Sequence, residues 1–242
     1  MSTVLITGAS SGIGLAFLKY YAAQNDTTIL TADIQPLPSS APQKATHHIL
    51  DVRSEDSIAQ FAKAIASQAI DLVIHSIGVR GLVNHLHTEQ PGSAQEAETL
   101  QAMDLATIMS TFQINTAGSF LLFRAILPNL LLFKQKSGKQ AKVVVMSSRM
   151  GSQSANTAGA GYAYRASKAA LNAVVRSLAV DVPQVVWVLC HPGRVESALV
   201  RYKEEGAISG QESVEGLVPI IDAWDAANSG RFYDRFGDKI EW

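Results

Sequence analysis

Apolar positions along this chain fall into short aliphatic and β-branched runs separated by longer stretches of helical period. The runs are Thr3 to Ile6, Thr28 to Ala32, His47 to Leu50, Leu72 to His75, Lys142 to Ser147 and Val185 to His191. Several are apolar at almost every position, the pattern of strands buried on both faces. Between them LAFLKYYAA, SEDSIAQFAKAIA, Met103 to Phe133, the Ala-rich AALNAVVRSLAV and Ser213 to Trp224 repeat apolar residues at helical intervals and predict helices. GRFYD, near the C-terminus, predicts a short edge strand. Strand and helix alternate without a linker, a repeat or a shift in composition. The expected fold is α/β: a single domain, residues 1–242, with a doubly wound, Rossmann-like parallel sheet and helices on both faces.

Composition narrows the function classes. With 47% hydrophobic and 17% charged residues the chain can bury a sizeable core. A net charge of −1 and the lack of any basic run exclude bulk nucleic-acid binding, which needs clustered Lys and Arg to neutralise phosphates. The single cysteine, Cys190, lies in the apolar run VVWVLCH and reads as a core residue in a reducing compartment. The first strand begins at Thr3 with no basic and apolar leader before it, so no signal peptide is expected. FLLFRAILPNLLLFK is interrupted by Arg124, Pro128 and Asn129 and falls short of the roughly 20 residues of a membrane helix. A cytoplasmic protein without a membrane segment is expected. Residues 79 to 102 read as an irregular polar loop, and His85 and His87 within it lack the further ligands a metal site requires.

Two stretches carry candidate chemistry. After the first strand, Thr7 leads into GASSGIG, which places Gly8, Gly12 and Gly14 between a strand and a helix. Glycine lets the backbone turn tightly and approach a pyrophosphate, and the helix N-terminus offers free N–H groups and positive dipole to the anion. No lysine follows, which excludes a Walker A loop. Asp33 ends the second strand, where a carboxylate reaches the adenine ribose hydroxyls of a bound dinucleotide. The second stretch is YAYRASK, in which Tyr164 and Lys168 stand one helical turn apart and project from one face. A tyrosine working near neutrality needs a shift of roughly 3 units, about 4 kcal/mol, in favour of the phenolate, and a neighbouring ammonium has the right sign. Tyr162 has Ala166 at the corresponding place and serves as an internal control. Ser148 follows the fifth strand at its carboxyl end, where open α/β sheets bind ligands. Asn115 sits among apolar helical turns and must find hydrogen-bond partners there.

Together these residues resemble the short-chain dehydrogenase/reductase family, and the resemblance covers essentially the whole chain. TGASSGIG matches the family's cofactor loop, with Gly8, Ser10, Ser11, Gly12, Ile13 and Gly14 as its contacts. Asp51-Val52 matches the adenine-side motif, Gly78 the glycine after the fourth strand, and Pro192-Gly193 with Val195 the turn after the sixth. Asn115, Ser148, Tyr164 and Lys168 match the active-site tetrad. The wording SSRMGS, YAYRASKAALN and SGRFYDRFGDKIEW is more narrowly similar to the branch containing C-factor and the sniffer-type carbonyl reductases. Two departures stand out. His75-Ser76-Ile77-Gly78 occupies the place of the usual Asn-Asn-Ala-Gly, and residues 152 to 163 make a longer interval before Tyr164 than the family typically has, expected to reshape the substrate side.

The resemblance implies an oxidoreductase that transfers a hydride between a nicotinamide cofactor and the carbonyl or alcohol carbon of a small substrate. In that reading Tyr164 exchanges a proton with the substrate oxygen and Ser148 hydrogen-bonds that oxygen. Lys168 lowers the Tyr164 pKa and holds the nicotinamide ribose, also a contact of Tyr164, and Asn115 holds a water linking Lys168 to solvent. NAD is expected rather than NADP: the Asp33 carboxylate opposes a 2′-phosphate, and Ser11 and Ile34 are uncharged where a cation would be needed. Lys44, His47 and His48 are the cations that could fold back toward this pocket. Residues 194 to 212 have no strong period and are expected to form a mobile lid. The family also implies a homodimer or homotetramer through the helices around Met103 to Phe133 and Tyr164 to Val180. The alternative reading is a dinucleotide-binding signalling or regulatory protein of the C-factor type.

Overall fold

A computed structural model describes residues 2–242. Its centre is a seven-stranded parallel sheet formed by β1 (Ser2–Thr7), β2 (Thr27–Asp33), β3 (Thr46–Ile49), β4 (Leu72–His75), β5 (Ala141–Met146), β6 (Val185–His191) and β7 (Arg231–Asp234). The strand order is β3-β2-β1-β4-β5-β6-β7, the doubly wound order expected. Successive residues of a strand feed opposite layers: Leu5 joins one core cluster while Val4 and Ile6 join the other. One layer holds α1 (Gly12–Ala22) and α7 (Gly210–Ala223). The other holds α2 (Glu55–Ala64), α5 (Ser119–Ser137) and α6 (Tyr162–Asp181). The Trp187 indole and the Phe123 ring, centroids 5.6 Å apart, anchor that second core.

Several boundaries differ from the sequence reading, each for a local reason. The polar interval 79–102 contains a short helix, α3 (Ser93–Glu96), too brief to show a period. Helical structure then starts at α4 (Leu105–Phe112), whose N-cap Asp104 accepts from the Thr107 N–H, rather than at Met103. Between α4 and α5, residues Gln113–Gly118 form a π-helical segment that carries Asn115. The last helix begins at Gly210, ahead of the expected Ser213, because the Ser209 hydroxyl caps it by accepting from the Glu212 N–H at 3.1 Å. That helical start takes residues 210–212 out of the expected lid.

The continuous helical stretch Leu105–Ser137 is long and apolar enough to cross a membrane, which corrects the expectation that this window falls short. Pro128 lies inside the helix rather than ending it. Leu122, Phe123, Ile126 and Leu130 are fully buried against the sheet, so packing in the core accounts for the apolar composition. Cys190 is likewise a buried residue of β6.

Candidate active site

The carboxyl ends of the strands open into a cleft of about 1080 Å³ at the point between β1 and β4 where the strand order reverses. All the cofactor-side residues expected from the sequence line it, as do Ser148, Tyr164 and Lys168. Asn115 stands behind the wall, fully buried.

Gly8 and Gly12 adopt φ values of +75° and +52°, in the left-handed region that favours glycine. A Cβ at Gly14 would fall 2.0 Å from the Gly8 carbonyl oxygen, so the loop folds tightly onto the start of α1 only with glycine there. Ser54, Asp104 and Ser209 cap α2, α4 and α7 through their side chains, but Ser11 makes no side-chain cap on α1. The first-turn N–H groups of α1 thus open onto the cleft as an anion site. This backbone cradle fits a dinucleotide pyrophosphate. At the adenosine end, the Asp33 carboxylate is fixed by the Ser10 N–H at 2.9 Å and the Gln35 N–H at 3.1 Å.

None of the three cations named for this pocket reaches it. Lys44 donates to the Gln24 carbonyl beyond the far end of α1, His47 bonds Thr31 and the Gln35 carbonyl, and His48 packs its ring on Phe61. A cation the sequence did not flag, Arg53, does line the cleft, and Asp51 holds it by a two-pronged ion pair with contacts of 2.8 to 3.2 Å. That guanidinium holds the Asp51 carboxyl below its usual range.

Helix α6 brings Tyr164 and Lys168 into the interior, 7% and 3% exposed, whereas Tyr162 is 41% exposed on the outer side. The left-handed residues Gly159, Ala160 and Gly161 lead into this helix, and the Arg165 side chain donates to the Gly159 and Ala160 carbonyls to hold them. Lys168 Nζ donates to the Met146 carbonyl at 2.9 Å, and burial holds its pKa down to about 8. Burial pushes the Tyr164 phenol up, opposed by the Arg80 guanidinium and the Ser148 hydroxyl and reinforced by Glu98 and Glu204. Arg80 thus joins Lys168 as a second cation beside the phenol. Arg80 and Lys168 approach the Tyr164 ring to 5.5 Å and 5.8 Å of its centroid. Neither Arg80 nor its partner Glu98 belongs to a recognisable motif. Only the fold brings them to Tyr164.

Asn115 finds the partners its burial demands. It accepts from the Val79 N–H at 2.8 Å and donates to the Val79 carbonyl at 2.9 Å and the Ser167 hydroxyl at 3.0 Å. These bonds tie the segment after Gly78 to α6. The departure at His75 also acquires a role. Its ring bridges the Thr7 hydroxyl at 2.8 Å and the Ser119 hydroxyl at 2.9 Å, and Ser119 donates to the Asn115 carbonyl at 3.0 Å.

The long interval before Tyr164 lines the substrate end through Ala155, Ala158, Gly159 and Ala160. Its Ser154 N–H donates to the Trp242 carbonyl, which ties it to the end of the chain. Opposite, the segment after Pro192 is pinned at its base, where Val195 and Ile208 pair. Its tip reaches across the cleft: the Arg201 N–H donates to His87 Nε2 at 3.2 Å and the Tyr202 hydroxyl to Gln95 at 2.7 Å.

Comparison with known proteins agrees with this geometry. A family model described as short chain dehydrogenase matches residues 2–207. The C-signal protein of Myxococcus xanthus is 35% identical over 184 residues, covering 75% of this chain and 98% of its own. The carbonyl reductase Sniffer of D. melanogaster shares the fold with a TM-score of 0.84 at 24% identity, covering 100% of both chains. An NADPH-bound carbonyl reductase from chicken fatty liver does so with a TM-score of 0.83 at 23% identity, covering 100% of this chain and 99% of its own. The narrower resemblance to C-factor and sniffer-type proteins is met by the first two. With the family model spanning most of the chain and the dinucleotide cradle and the Tyr164–Lys168 helix both formed, the chain belongs to the short-chain dehydrogenase family of nicotinamide-dependent oxidoreductases.

Proposed function

We propose that residues 1–242 act as one NAD(H)-dependent carbonyl reductase or alcohol dehydrogenase for a small substrate, with Tyr164 as its acid–base group. The observation that carries the reading is the buried Tyr164 beside Ser148, Arg80 and Lys168 at the inner end of a dinucleotide-shaped cleft. The nicotinamide, when bound, supplies or accepts the hydride. The chain's own part is proton transfer and positioning. Tyr164 gives its phenolic proton to the substrate oxygen in reduction and recovers it in oxidation, and Ser148 donates a hydrogen bond to the same oxygen. Lys168, buried and held down to about 8, offers its ammonium to the nicotinamide ribose and repays the proton. Asn115 holds the backbone of Val79 in place beside them.

The preference for NAD rests on Asp33. At about 4 Å and an effective dielectric near 20, a like-charge pair costs roughly 4 kcal/mol, and a strongly screened fraction still leaves on the order of a hundredfold discrimination. The fold-level relative from chicken carries NADPH, which makes the carboxylate the feature to test. In this chain Arg53, a cation that lines the cleft, is engaged by Asp51. A cytoplasmic location, suggested by the lone buried Cys190, belongs to the same reading. So does a homodimer or homotetramer seated on the outer faces of α4, α5 and α6, where Leu105, Met109, Phe112 and Phe120 are exposed.

The test uses both cofactors, a panel of aldehydes and ketones, and three variants. Tyr164→Phe is expected to bind NAD(H) normally and to lose at least a hundredfold in turnover, with Tyr162→Phe near wild type. Wild type is expected to bind NAD(H) at least tenfold more tightly than NADP(H), and Asp33→Ala to recover NADP(H) binding. Substantial turnover by Tyr164→Phe, or tighter NADP(H) binding by wild type, would overturn the corresponding half. The C-signal relative favours a second reading, in which the chain binds the dinucleotide and signals without turnover. Cofactor binding with no reduction of any carbonyl in the panel would favour it.

A further inference from the structure

The Arg80–Glu98 pair is not explained by cofactor binding or by the tetrad. Arg80 Nε and one terminal nitrogen each donate to a Glu98 carboxylate oxygen at 3.0 Å, with side chains only 17% and 8% exposed. A buried ion pair is weak evidence of a contribution to stability, since apolar residues of the same volume often serve the fold as well or better. Its placement suggests another use. The guanidinium lies 5.5 Å from the centre of the Tyr164 ring, on the cleft wall. Glu98 is fastened to the same helix, because its backbone carbonyl accepts from the Gly161 N–H at 2.9 Å, one residue before α6 begins. Gly81 lets the loop carrying Arg80 press close: a Cβ there would fall 2.5 Å from Thr111 and 2.9 Å from Ala163. Loop, acid and helix are thus locked to one another, and the cation stands at a set distance from the phenol.

We propose that Arg80 is a positioning residue of the reaction, a second cation that Glu98 aims at Tyr164 and that favours its phenolate. The inference rests on Tyr164 being the acid–base group. Five charged or polar groups face that phenol: Lys168 from its own helix, Ser148 from the end of β5, Arg80 from the loop after β4, Glu98 from the segment after α3 and Glu204 from the tip of the lid. Lys168 directs its ammonium to the Met146 carbonyl, and Glu204 is borne by a separate loop. Arg80 is the cation among them that is held by a fork of two bonds, so its charge does not wander with the lid. Its field opposes burial, the dominant effect on the phenol.

The effect can be read without substrate. Ultraviolet difference titration of tyrosinate, taken for each protein against its own Tyr164→Phe version, isolates the ionisation of this one phenol. Glu98→Gln keeps the cation and removes its counter-charge, so the Tyr164 pKa is expected to fall by about one unit. Arg80→Met with Glu98→Gln removes both charges without leaving a buried carboxylate unpaired, and the pKa is expected to rise by about one unit above wild type. Opposite displacements are the signature of an electrostatic role, because a merely structural role would not move the two variants apart. Shifts in the same direction, or none in either, would overturn the proposal. Should the double variant fail to fold, Glu98→Gln alone decides, an unmoved or raised pKa counting against it. Turnover of Tyr164→Phe is measured separately, so failure of the functional assignment and failure of this inference are distinguishable.

Discussion

His75 shows how a single departure from a family pattern is absorbed. Ser119 uses its proton on the Asn115 carbonyl, so its oxygen accepts from His75 Nε2–H, which leaves Nδ1 to accept from the Thr7 hydroxyl. The ring is therefore neutral, and burial pushes it down to about 3, with the Lys168 charge acting the same way. Burial also brings His191 to about 4. Both values lie below that of an unfolded histidine, so on acidification the unfolded chain takes up these protons first. The stabilisation is present above pH about 6.5 and is lost as pH falls toward the folded values, at up to about 1.4 kcal/mol per pH unit for each ring. His75→Gln is expected to cost about 1–3 kcal/mol at neutral pH and to flatten the acid limb, so that the gap to wild type narrows as pH falls. Urea unfolding at a series of pH values reads both, and a parallel acid limb in the variant would refute the assignment. At this scale the sequence is eloquent where chemistry is local. Tyr164 and Lys168 declare themselves by sharing a helix face, and Asp33 by ending a strand. Arg80, Glu98 and Arg53 do not, because their partners or their place in the cleft come from loops whose packing only the tertiary fold specifies.

Among the elements, the strands were the most legible, since parallel strands buried on both faces leave runs of Val, Ile and Leu that little else produces. β3 and β5 each lie one residue earlier than read, within the usual uncertainty of element ends. The π-helical segment was not legible: its apolar residues keep a helical spacing, and the widened turn that carries Asn115 arises from contacts to Val79 and Ser167. The segment expected to form a lid was legible as a stretch without period, but the contacts that hold its tip were not. Arg201 donates through its backbone to His87 Nε2 and through its guanidinium to the His87 backbone carbonyl and the Asn84 side-chain Oδ1, and Tyr202 reaches Gln95. Burial and the Arg201 charge hold the His87 pKa down, so the ring stays an acceptor at neutral pH and stops being one when acid protonates it. Arg201→Ala is expected to speed amide exchange across residues 196–206 at least tenfold while leaving β5 and β6 protected, and to raise KM more than it lowers kcat. Unchanged exchange in that segment would show that the clasp does not hold the lid.

For the molecule as a whole, the alternation of runs was enough to read one α/β sheet with helices on both faces, and the comparisons agree. What could not be read was how the segment from β7 to Trp242 is used. β7 pairs with β6, Phe232 and Ile240 complete the core on one side, and the Trp242 ring stacks on Phe232. Every strand pairing in this sheet is parallel, so none can be made by a hairpin, and each must wait for an intervening crossover. During synthesis β1 emerges before the other strands yet belongs in the middle of the sheet, while β7, the edge partner of β6, follows all of them. Until then β6, VVWVLCH, can pair with β5 but leaves its other edge open, with the apolar character and exposed backbone that promote intermolecular pairing. The cell's exposure to misfolding of this protein is thus concentrated in the interval between translating β6 and translating β7.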